Sequence, residues 1–514
     1  MTQQKGQTAP IRANFLARAV AAGPARAGLD GGAERGAQTR PNALRGGEEI
    51  DIHRRRWNRF LAVAVVLIVV LSPLPAASNR GASWMLWSLA IGMIATLYFT
   101  ALALQSQPRP LRAAAYLPAF LPLAAFFAYA VFQTLPIAAH LPGFLTALPV
   151  ERVPAELGIT PVHLSLAPNA TLVGLARMIG SAMFLLLVIE TAGRLSRARV
   201  IAWSLFFSVL VYAMWVMIAP RFQSDSSFLG EAAASIGTPS GPFINLNSFA
   251  TYLGMGAILG LALALEPSQA RKMHPARLSS PKTVAQLALW VAIGVILVAI
   301  VNTQSRMGLF ATLVGMAVVW LLSAARREHA GHRSPSWLGA LAVLALFLAI
   351  LLSQGEGLIE RAFALQKDAA VRAELYGQVI SMILTRPLTG FGLDSFALSF
   401  ELFHAPPLTA AFAWDMAHSS YLALWSEMGL IFGSIPMLLG AMIVWRLLRL
   451  LRHRTHDKAL PAAALAILAQ VAVHSLVDFS LEIQANVFFL LTVLGLALAR
   501  RERPGLRLAR GEAT

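Results

Sequence analysis

The sequence predicts an all-α integral membrane protein with about 12 transmembrane helices, and three observations support this fold class. Hydrophobic residues make up 57% of the 514 residues and charged residues only 13%, which does not fit a soluble protein. Apolar runs of about 17 to 25 residues, each long enough to cross a bilayer, recur from Trp57 to Arg500. Lys and Arg are also concentrated in every second segment between the apolar runs, as is typical of a protein that crosses a membrane several times.

The apolar runs define the predicted spans in order along the chain. They lie at about 57–75, 83–105, 113–135, 170–192, 200–218, 247–265, 284–301, 307–323, 337–353, 420–445, 460–478 and 484–500. A polytopic membrane domain is therefore predicted at 57–500, between a Gly-, Ala- and Arg-rich tail at 1–56 and a second basic tail at 501–514. The first tail shows no apolar periodicity and is predicted to be disordered.

The charge distribution predicts the orientation. With the N-terminus inside, the cytoplasmic segments hold 32 of the 42 Lys and Arg residues and the outer loops hold 8. The positive-inside rule then predicts that both termini are cytoplasmic. Topology explains the net charge of +17 better than a nucleic-acid partner does, because the basic residues are divided among many short segments. The absence of cysteine excludes disulfides and metal–thiolate sites.

Three outer segments are long enough to form structure, at about 136–169, 219–246 and 354–419, and the last is the largest. Apolar residues recur there at helical spacing between Gly357 and Leu384, namely Ile359, Phe363, Val371, Leu375, Val379 and Met382. This pattern predicts an amphipathic helix on the outer face, before the tenth span, that ends at Arg386-Pro387. A glycine-punctuated stretch, Thr389–Gly392, and an irregular loop to His418 are predicted to follow.

Arg306 ends a very short connection between two predicted spans, at the outer membrane–water boundary. Its guanidinium suits bidentate contact with a phosphate, and a low local dielectric would strengthen that contact. A snorkelling side chain or a helix-end ion pair explains the spacing equally well.

His418 lies where the large outer loop re-enters the membrane, and an imidazole there can act as a general base near neutral pH. The alternative is an interfacial histidine that hydrogen-bonds a carbonyl. Glu427 follows nine residues later in the same predicted helix. It is either a structural partner of a cation or part of a site.

Other charged residues are weaker candidates. Five cations are predicted to face the same outer side and are each explained as solvated loop charges: Arg221, Arg361, Lys367, Arg372 and Arg386. His474 and Asp478 lie four residues apart in the eleventh span and could form a proton relay or a polar contact between helices. Arg177 lies inside the fourth span, where it needs a partner that the sequence does not identify.

No nucleotide-binding, zinc-protease or nucleophile-elbow motif fits the spacing, and the cytoplasmic loops are too short for an ATP-binding domain. No metal or other cofactor is predicted. The energy for any reaction must therefore come from a substrate bond or an ion gradient.

Six motifs in one order resemble the O-antigen ligase/polymerase family, over about residues 160–500. They are Gly241–Tyr252, Gln304–Gly308, Arg372–Tyr376, Arg386–Phe396, Ala417–Leu422 with Glu427–Gly429, and His474–Phe479. The resemblance implies a glycosyltransferase of the bacterial inner membrane that uses an undecaprenyl-diphosphate-linked glycan at the periplasmic face. It implies lipid A–core, or another glycan, as the acceptor.

The resemblance also implies roles for particular residues. Arg306 matches the arginine thought to engage the diphosphate, and His418 matches the histidine thought to activate the acceptor or contact the diphosphate. Arg372, Arg386, Arg221, Asn245 and Asn247 are candidates for binding the diphosphate or glycan; supporting polar roles fall to Glu427, His474 and Asp478. Where many relatives have Asn-Arg-Asn, this chain has Asn245-Leu246-Asn247. Arg221 or Arg372 then substitutes, or the activity is altered or absent.

Two other functions stay open. A polymerase of lipid-linked repeats needs the same kind of acceptor site as a ligase, so the sequence does not separate them. A transporter of polysaccharide or lipid-linked sugar is compatible with about 12 spans, but the outer loop with its cations and the scarcity of ionisable residues inside the spans oppose it. The sugar, the acceptor and the oligomeric state are not predicted.

Overall fold

The computed structural model describes residues 56–74, 76–104, 111–149, 161–218, 241–266, 281–329, 358–411, 413–454 and 457–499. The predicted span at 337–353 and nearly all of both predicted tails lie outside these ranges. Within them the chain is helical and contains no β-strand. Its longer helices are α1 (56–71), α2 (Gly81–Ala103), α3 (Leu117–Gln133), α4 (Pro168–Thr191), α5 (Leu195–Ile218), α6 (Leu246–Ala264), α7 (Pro281–Asn302), α8 (Arg306–His329), α9 (Leu358–Thr385), α10 (Ser420–Gly433), α11 (Ile435–His453), α12 (Ala459–His474) and α13 (Gln484–Leu498).

These helices confirm an all-α membrane protein. Seven of the described helices, α2 to α8, are long and apolar enough to cross a membrane, and α10 with α11 makes eight if that bent pair is one span. Helices α12 and α13 are apolar but shorter. The predicted number of about 12 is therefore not reached among the described helices.

Two predicted spans differ from the structure. The tenth, 420–445, is not one continuous helix, because α10 and α11 are bent by 71° where they meet. Gly429 also interrupts α10, with φ 70° and ψ 169°. The eleventh, 460–478, is too long: α12 ends at His474, so Asp478 lies in the loop beyond the helix.

The glycine-punctuated stretch predicted after α9 pairs with this break in α10. The backbone N–H groups of Phe391 and Gly392 donate to the carbonyls of Ser426 (3.0 Å) and Glu427 (2.9 Å). Gly390, with φ 63°, lies so close to the break that a Cβ there would be 2.4 Å from the carbonyl oxygen of Glu427. A helix can be broken at membrane depth only where other groups pair with its freed backbone, and this stretch supplies them.

Helix α6 is the centre of the bundle. All its residues from Ser248 to Ala264 are buried, and it packs against α5, α7, α8, α12 and α13. At Gly254 the missing side chain leaves room for the Gln470 amide and the Thr312 hydroxyl, each 2.2 Å from where a Cβ would lie. The polar residues at the N-terminal end of α6 bond Ser305, which precedes α8, and His474 and Ser480 at the end of α12 and beyond it.

The helix predicted on the outer face is present as α9, Leu358–Thr385. Leu375, Val379 and Met382 are buried on one face, as the periodicity requires, but Val371 is exposed. The side chains of Ile359 and Phe363 lie outside the described residues, and the outer location of α9 stays a prediction.

Candidate active site

The connection before Arg306 is attached to the first turn of α6. The side-chain oxygen of Asn245 caps α6 by accepting hydrogen bonds from the backbone of Asn247 (2.8 Å) and Ser248 (3.0 Å). The side-chain oxygen of Asn247 then accepts a hydrogen bond from the Ser305 hydroxyl at 2.7 Å. The two asparagines predicted to bind substrate thus make structural contacts: Asn245 caps α6, and Asn247 connects α6 to the residue before Arg306.

Ser305 caps α8, because its hydroxyl oxygen accepts the N–H of Gly308 at 3.2 Å. Arg306 is the first residue of that helix, and its side chain is exposed. The N-terminus of a helix carries partial positive charge and favours anions. An exposed guanidinium beside this helix end is therefore suited to a phosphate group.

A buried polar network begins one turn further along α6. The Thr251 hydroxyl lies 2.6 Å from Nδ1 of His474 and 3.0 Å from the hydroxyl of Ser480. The Ser480 hydroxyl donates to Oδ2 of Asp478. His474 and Asp478 are each only 1% exposed, so the network joins α6, the end of α12 and the loop 475–483 in a water-poor environment.

The predicted pair of His474 and Asp478 is therefore linked through other residues. Nδ1 of His474 is 3.9 Å from Oδ2 of Asp478, too far for a direct hydrogen bond, and the Ser480 hydroxyl, 3.2 Å from Nδ1 of His474, links the two. These contacts favour a structural connection between helices. Nε2 of His474 and Oδ1 of Asp478 are buried and make no hydrogen bond with any described residue.

His418 directly precedes the N-cap of α10 and has a left-handed backbone, with φ 50°. Its ring packs edge-on against Phe479, with the centroids 5.2 Å apart. The Tyr376 hydroxyl of α9 donates to the His418 carbonyl at 2.9 Å. Arg372, one turn earlier, donates to the carbonyl of Val477 at 3.2 Å. Helix α9 thus contacts both the histidine and the loop beside it.

The environment of His418 favours the neutral imidazole. Burial is the largest effect and lowers the pKa of His418 from its usual 6.5. The negative charge of Asp478 opposes this decrease, the positive charge of Arg372 adds to it, and Asp415 opposes it. A lowered pKa keeps the ring unprotonated near neutral pH, the state that a general base requires.

The connection before Arg306 and the loop that packs against His418 both contact one end of α6. Asn247 holds the Arg306 connection and Thr251 holds the polar network; these residues are one turn apart, about 6 Å along the axis. The network includes Asp478, which interacts electrostatically with His418. Arg372 interacts electrostatically with His418 and His474.

Arg386 has a different environment from the predicted one. Its side chain is 0% exposed, and its nitrogens donate to the carbonyls of Ala147 (2.6 Å), Leu164 (2.9 Å) and Thr146 (2.8 Å). Burial lowers its pKa to about 10, and its guanidinium lies 4.6 Å from the ring centroid of Phe391. These contacts leave no open face for phosphate or glycan, so they support a structural role.

Glu427 is also buried, with 8% of the residue exposed. Its carboxylate accepts the N–H of Phe396 at 3.2 Å, and its carbonyl accepts from the amide of Gln133 at 2.9 Å. It stabilises the break in α10, which agrees with the supporting polar role predicted for it. Arg221 lies outside the described residues, as do the side chains of Arg361 and Lys367.

Sequence reasoning missed Thr251, Ser305, Tyr376 and Ser480. Single hydroxyl residues in apolar helices carry no periodic signal, and their partners are far apart in the chain. Three of the four lie inside the motifs named above and the fourth, Ser480, directly follows one, which is the only indication the sequence offers. Across the described ranges, no group of three or more His, Cys, Asp or Glu residues is arranged to hold a metal ion.

The fold defines a multi-pass helical membrane protein, and the candidate site contains an arginine and a histidine next to segments that contact one end of α6. Residues 287–437 match the family model described as O-Antigen ligase. The matched range contains Arg306, Arg372 and His418, and the match confirms the predicted resemblance to the O-antigen ligase/polymerase family over this part of the chain. The match supports glycan transfer of the ligase or polymerase type. No curated protein matches the chain.

Proposed function

We propose that this protein transfers a glycan from an undecaprenyl-diphosphate-linked donor to an acceptor hydroxyl, as an O-antigen ligase does. The observation that carries the proposal is that the N-terminal end of α6 bonds the connection before Arg306, through Asn247, and the loop that packs against His418, through Thr251 and Ser480. A cation for a diphosphate and a base for a hydroxyl are the two groups that such a transfer needs.

In the proposed reaction, the acceptor oxygen attacks the anomeric carbon of the donor sugar. The new glycosidic bond forms as the bond between that carbon and the diphosphate oxygen breaks. The acceptor proton passes to the neutral imidazole of His418, and undecaprenyl diphosphate leaves with the bonding electrons. His418 then releases the proton to water.

Negative charge grows on the diphosphate as the sugar leaves it. Arg306, exposed at the N-terminus of α8, is the group that we assign to this charge. Fixed donors that face a developing anion lower the barrier because they need no reorganisation during the reaction. Arg372 is half-buried beside His418 and contributes a second positive charge.

The proposed location is the bacterial inner membrane, with both termini in the cytoplasm and the site facing the periplasm. The charge distribution supports this orientation, since it places the α9 region and the α7–α8 connection outside. Lipid A–core is the proposed acceptor. At Leu246, where many relatives have arginine, α6 begins with a partly buried apolar side chain, so we assign the second phosphate contact to Arg372.

Purified protein in liposomes tests the proposal. The donor is an undecaprenyl-diphosphate-linked repeat, lipid A–core is supplied or withheld, and products are identified by gel and mass spectrometry. We expect a core-linked product that disappears with Arg306→Ala and with His418→Ala but persists with Arg449→Ala, an exposed arginine stacked on Trp445 in α11.

Other outcomes identify the alternatives. A ladder of products without lipid A–core would replace ligation by polymerisation. No product in any reaction, with folded protein and matched substrates, would contradict glycan transfer and favour transport.

A further inference from the structure

Arg177 lies in α4, outside the candidate site, but it contacts two loops that border the site. Its Nη2 donates to Oδ1 of Asp394 at 2.9 Å, and its Nη1 donates to the carbonyl of Glu482 at 3.0 Å. The guanidinium also lies 4.3 Å from the ring centroid of Trp84 in α2. The side chain is buried, with 8% of the residue exposed.

One face of α4 is shaped to receive the first of these loops. Thr171, Gly174 and Arg177 recur every three residues, so they lie on the same side of the helix. The Thr171 hydroxyl donates to the carbonyl of Leu393 at 2.8 Å. A Cβ at Gly174 would lie 2.8 Å from Cβ of Asp394, so only glycine leaves room for that side chain. The Thr171 hydroxyl therefore binds the Leu393 carbonyl, the space at Gly174 receives the Asp394 side chain, and the Arg177 guanidinium binds the Asp394 carboxylate.

Both loops reach the candidate site. The first, 386–395, contains the glycine-punctuated stretch that pairs with the break in α10. The second, 475–483, contains Asp478, and its carbonyls at Leu476 and Val477 accept from Tyr376 and Arg372 of α9. Arg177 is bonded to each loop, and in this way it fixes one with respect to the other.

The charges around Arg177 make it hard to replace. The carboxyl groups of Asp394 and Glu482 both interact with Arg177, and both also interact with the carboxyl group of Glu427. Burial raises the pKa of Glu482 to about 8, Arg177 opposes that rise, and Asp394, Asp478 and Asp415 add to it. Without the guanidinium, the Asp394 carboxylate, whose side chain is only 19% exposed, would lose the cation with which it is paired.

We propose that Arg177 is a positioning residue: by bonding Asp394 and the backbone of Glu482 at once, it fixes the loops 386–395 and 475–483 in the arrangement that the candidate site requires. It acts through these loops and does not touch the substrate. The kinetic part of this proposal rests on the proposed function, whereas the loop arrangement can be measured without it.

The test compares Arg177→Lys and Asp394→Asn with wild type. Lysine keeps the charge but has a single donor nitrogen, so it cannot replace the two guanidinium nitrogens that bond two different partners. Asparagine keeps the shape of Asp394 without its charge. Arg112→Lys is the matched control, because Arg112 also bonds a buried carboxyl residue of α4, at the carbonyl of Glu190 (3.0 Å), near the other end of that helix. Hydrogen exchange of both loops and transfer kinetics are measured on each full-length protein in liposomes.

We expect exchange in 386–395 and 475–483 to increase at least about tenfold in both variants and not in Arg112→Lys. We expect kcat to fall by about 10- to 100-fold with a smaller change in KM, because misplaced groups slow the reaction more than they weaken binding. The double variant should be no slower than the slower single variant, because both remove one interaction. Unchanged loop exchange, or equal effects in Arg112→Lys, would overturn the proposal. If wild type makes no product, the proposed function fails, and faster loop exchange in the two variants still supports the positioning role.

Discussion

The hydroxyl of Tyr376 donates a hydrogen bond to the backbone carbonyl of His418 over 2.9 Å, and the same oxygen lies 3.3 Å from the carbonyl of Leu476. One side chain of α9 thus touches the candidate base and the loop that carries Asp478. The backbone of His418 is left-handed, a conformation that non-glycine residues adopt only when their surroundings hold them there. The Tyr376 hydroxyl is one of the groups that hold it.

Tyr376→Phe removes only this hydroxyl. A hydrogen bond contributes about 0.5–1.5 kcal/mol, so we expect kcat to fall by up to about tenfold, with little change in unfolding temperature. Transfer kinetics in liposomes provide the measurement. Tyr421→Phe is the control, because the Tyr421 hydroxyl also donates to a backbone carbonyl nearby, that of Ala472 at 2.9 Å, but not to His418. Equal rates for Tyr376→Phe and wild type would show that this contact does not matter.

The pH dependence of transfer should report His418. Because its pKa lies below the usual value, the imidazole stays neutral as pH falls to about 6.5, and kcat/KM should decrease only at lower pH. Two substitutions should move that decrease in opposite directions. Arg372→Gln removes a positive charge and should move it to higher pH; Asp478→Asn removes a negative charge and should move it to lower pH.

His418→Gln should abolish the pH-dependent decrease and reduce the rate by about 10²–10⁴-fold, the usual contribution of a general base. A profile in His418→Gln that is as steep as in wild type would assign the decrease to another group. Shifts of the same sign in Arg372→Gln and Asp478→Asn would contradict the electrostatic account.

Arg386 should be required for stability more than for substrate binding. Hydrogen bonds to a charged group contribute about 1.5–3 kcal/mol each, and Arg386 makes three to buried carbonyls, so Arg386→Gln should cost on the order of 5 kcal/mol. The change should lower the unfolding temperature in detergent strongly. Arg449→Gln, at an exposed arginine, should leave it nearly unchanged. A folded Arg386→Gln protein with a raised KM alone would restore the phosphate-binding role predicted from the sequence.

The sequence was sufficient for the fold class and for most helices because apolar length and charge bias are local signals. It failed where a distant segment changes local structure: span 420–445 has helical composition, but it bends after Gly433 and breaks at Gly429, where backbone groups from 387–392 pair with residues 426–430. The buried environment of Arg386 could not be predicted for a related reason, since its partners at 146–164 lie more than 200 residues away. Arg306 and His418 could be selected because they occur in recognisable motifs.

Two glycine substitutions, Gly390→Ala and Gly377→Ala, test the close approach of Gly390 to the break in α10. Gly390→Ala should destabilise the protein strongly, because φ is 63° and the added Cβ would lie 2.4 Å from the Glu427 carbonyl oxygen, which is backbone and cannot turn away. Gly377→Ala should be neutral or stabilise the protein by about 0.5–1 kcal/mol, because this glycine lies inside α9 with open space around it. Unfolding temperatures in detergent and hydrogen exchange of residues 426–430 provide the comparison. If Gly390→Ala unfolds at the wild-type temperature, residues 387–392 do not pair with α10 as described, and the break at Gly429 must be stabilised by other contacts.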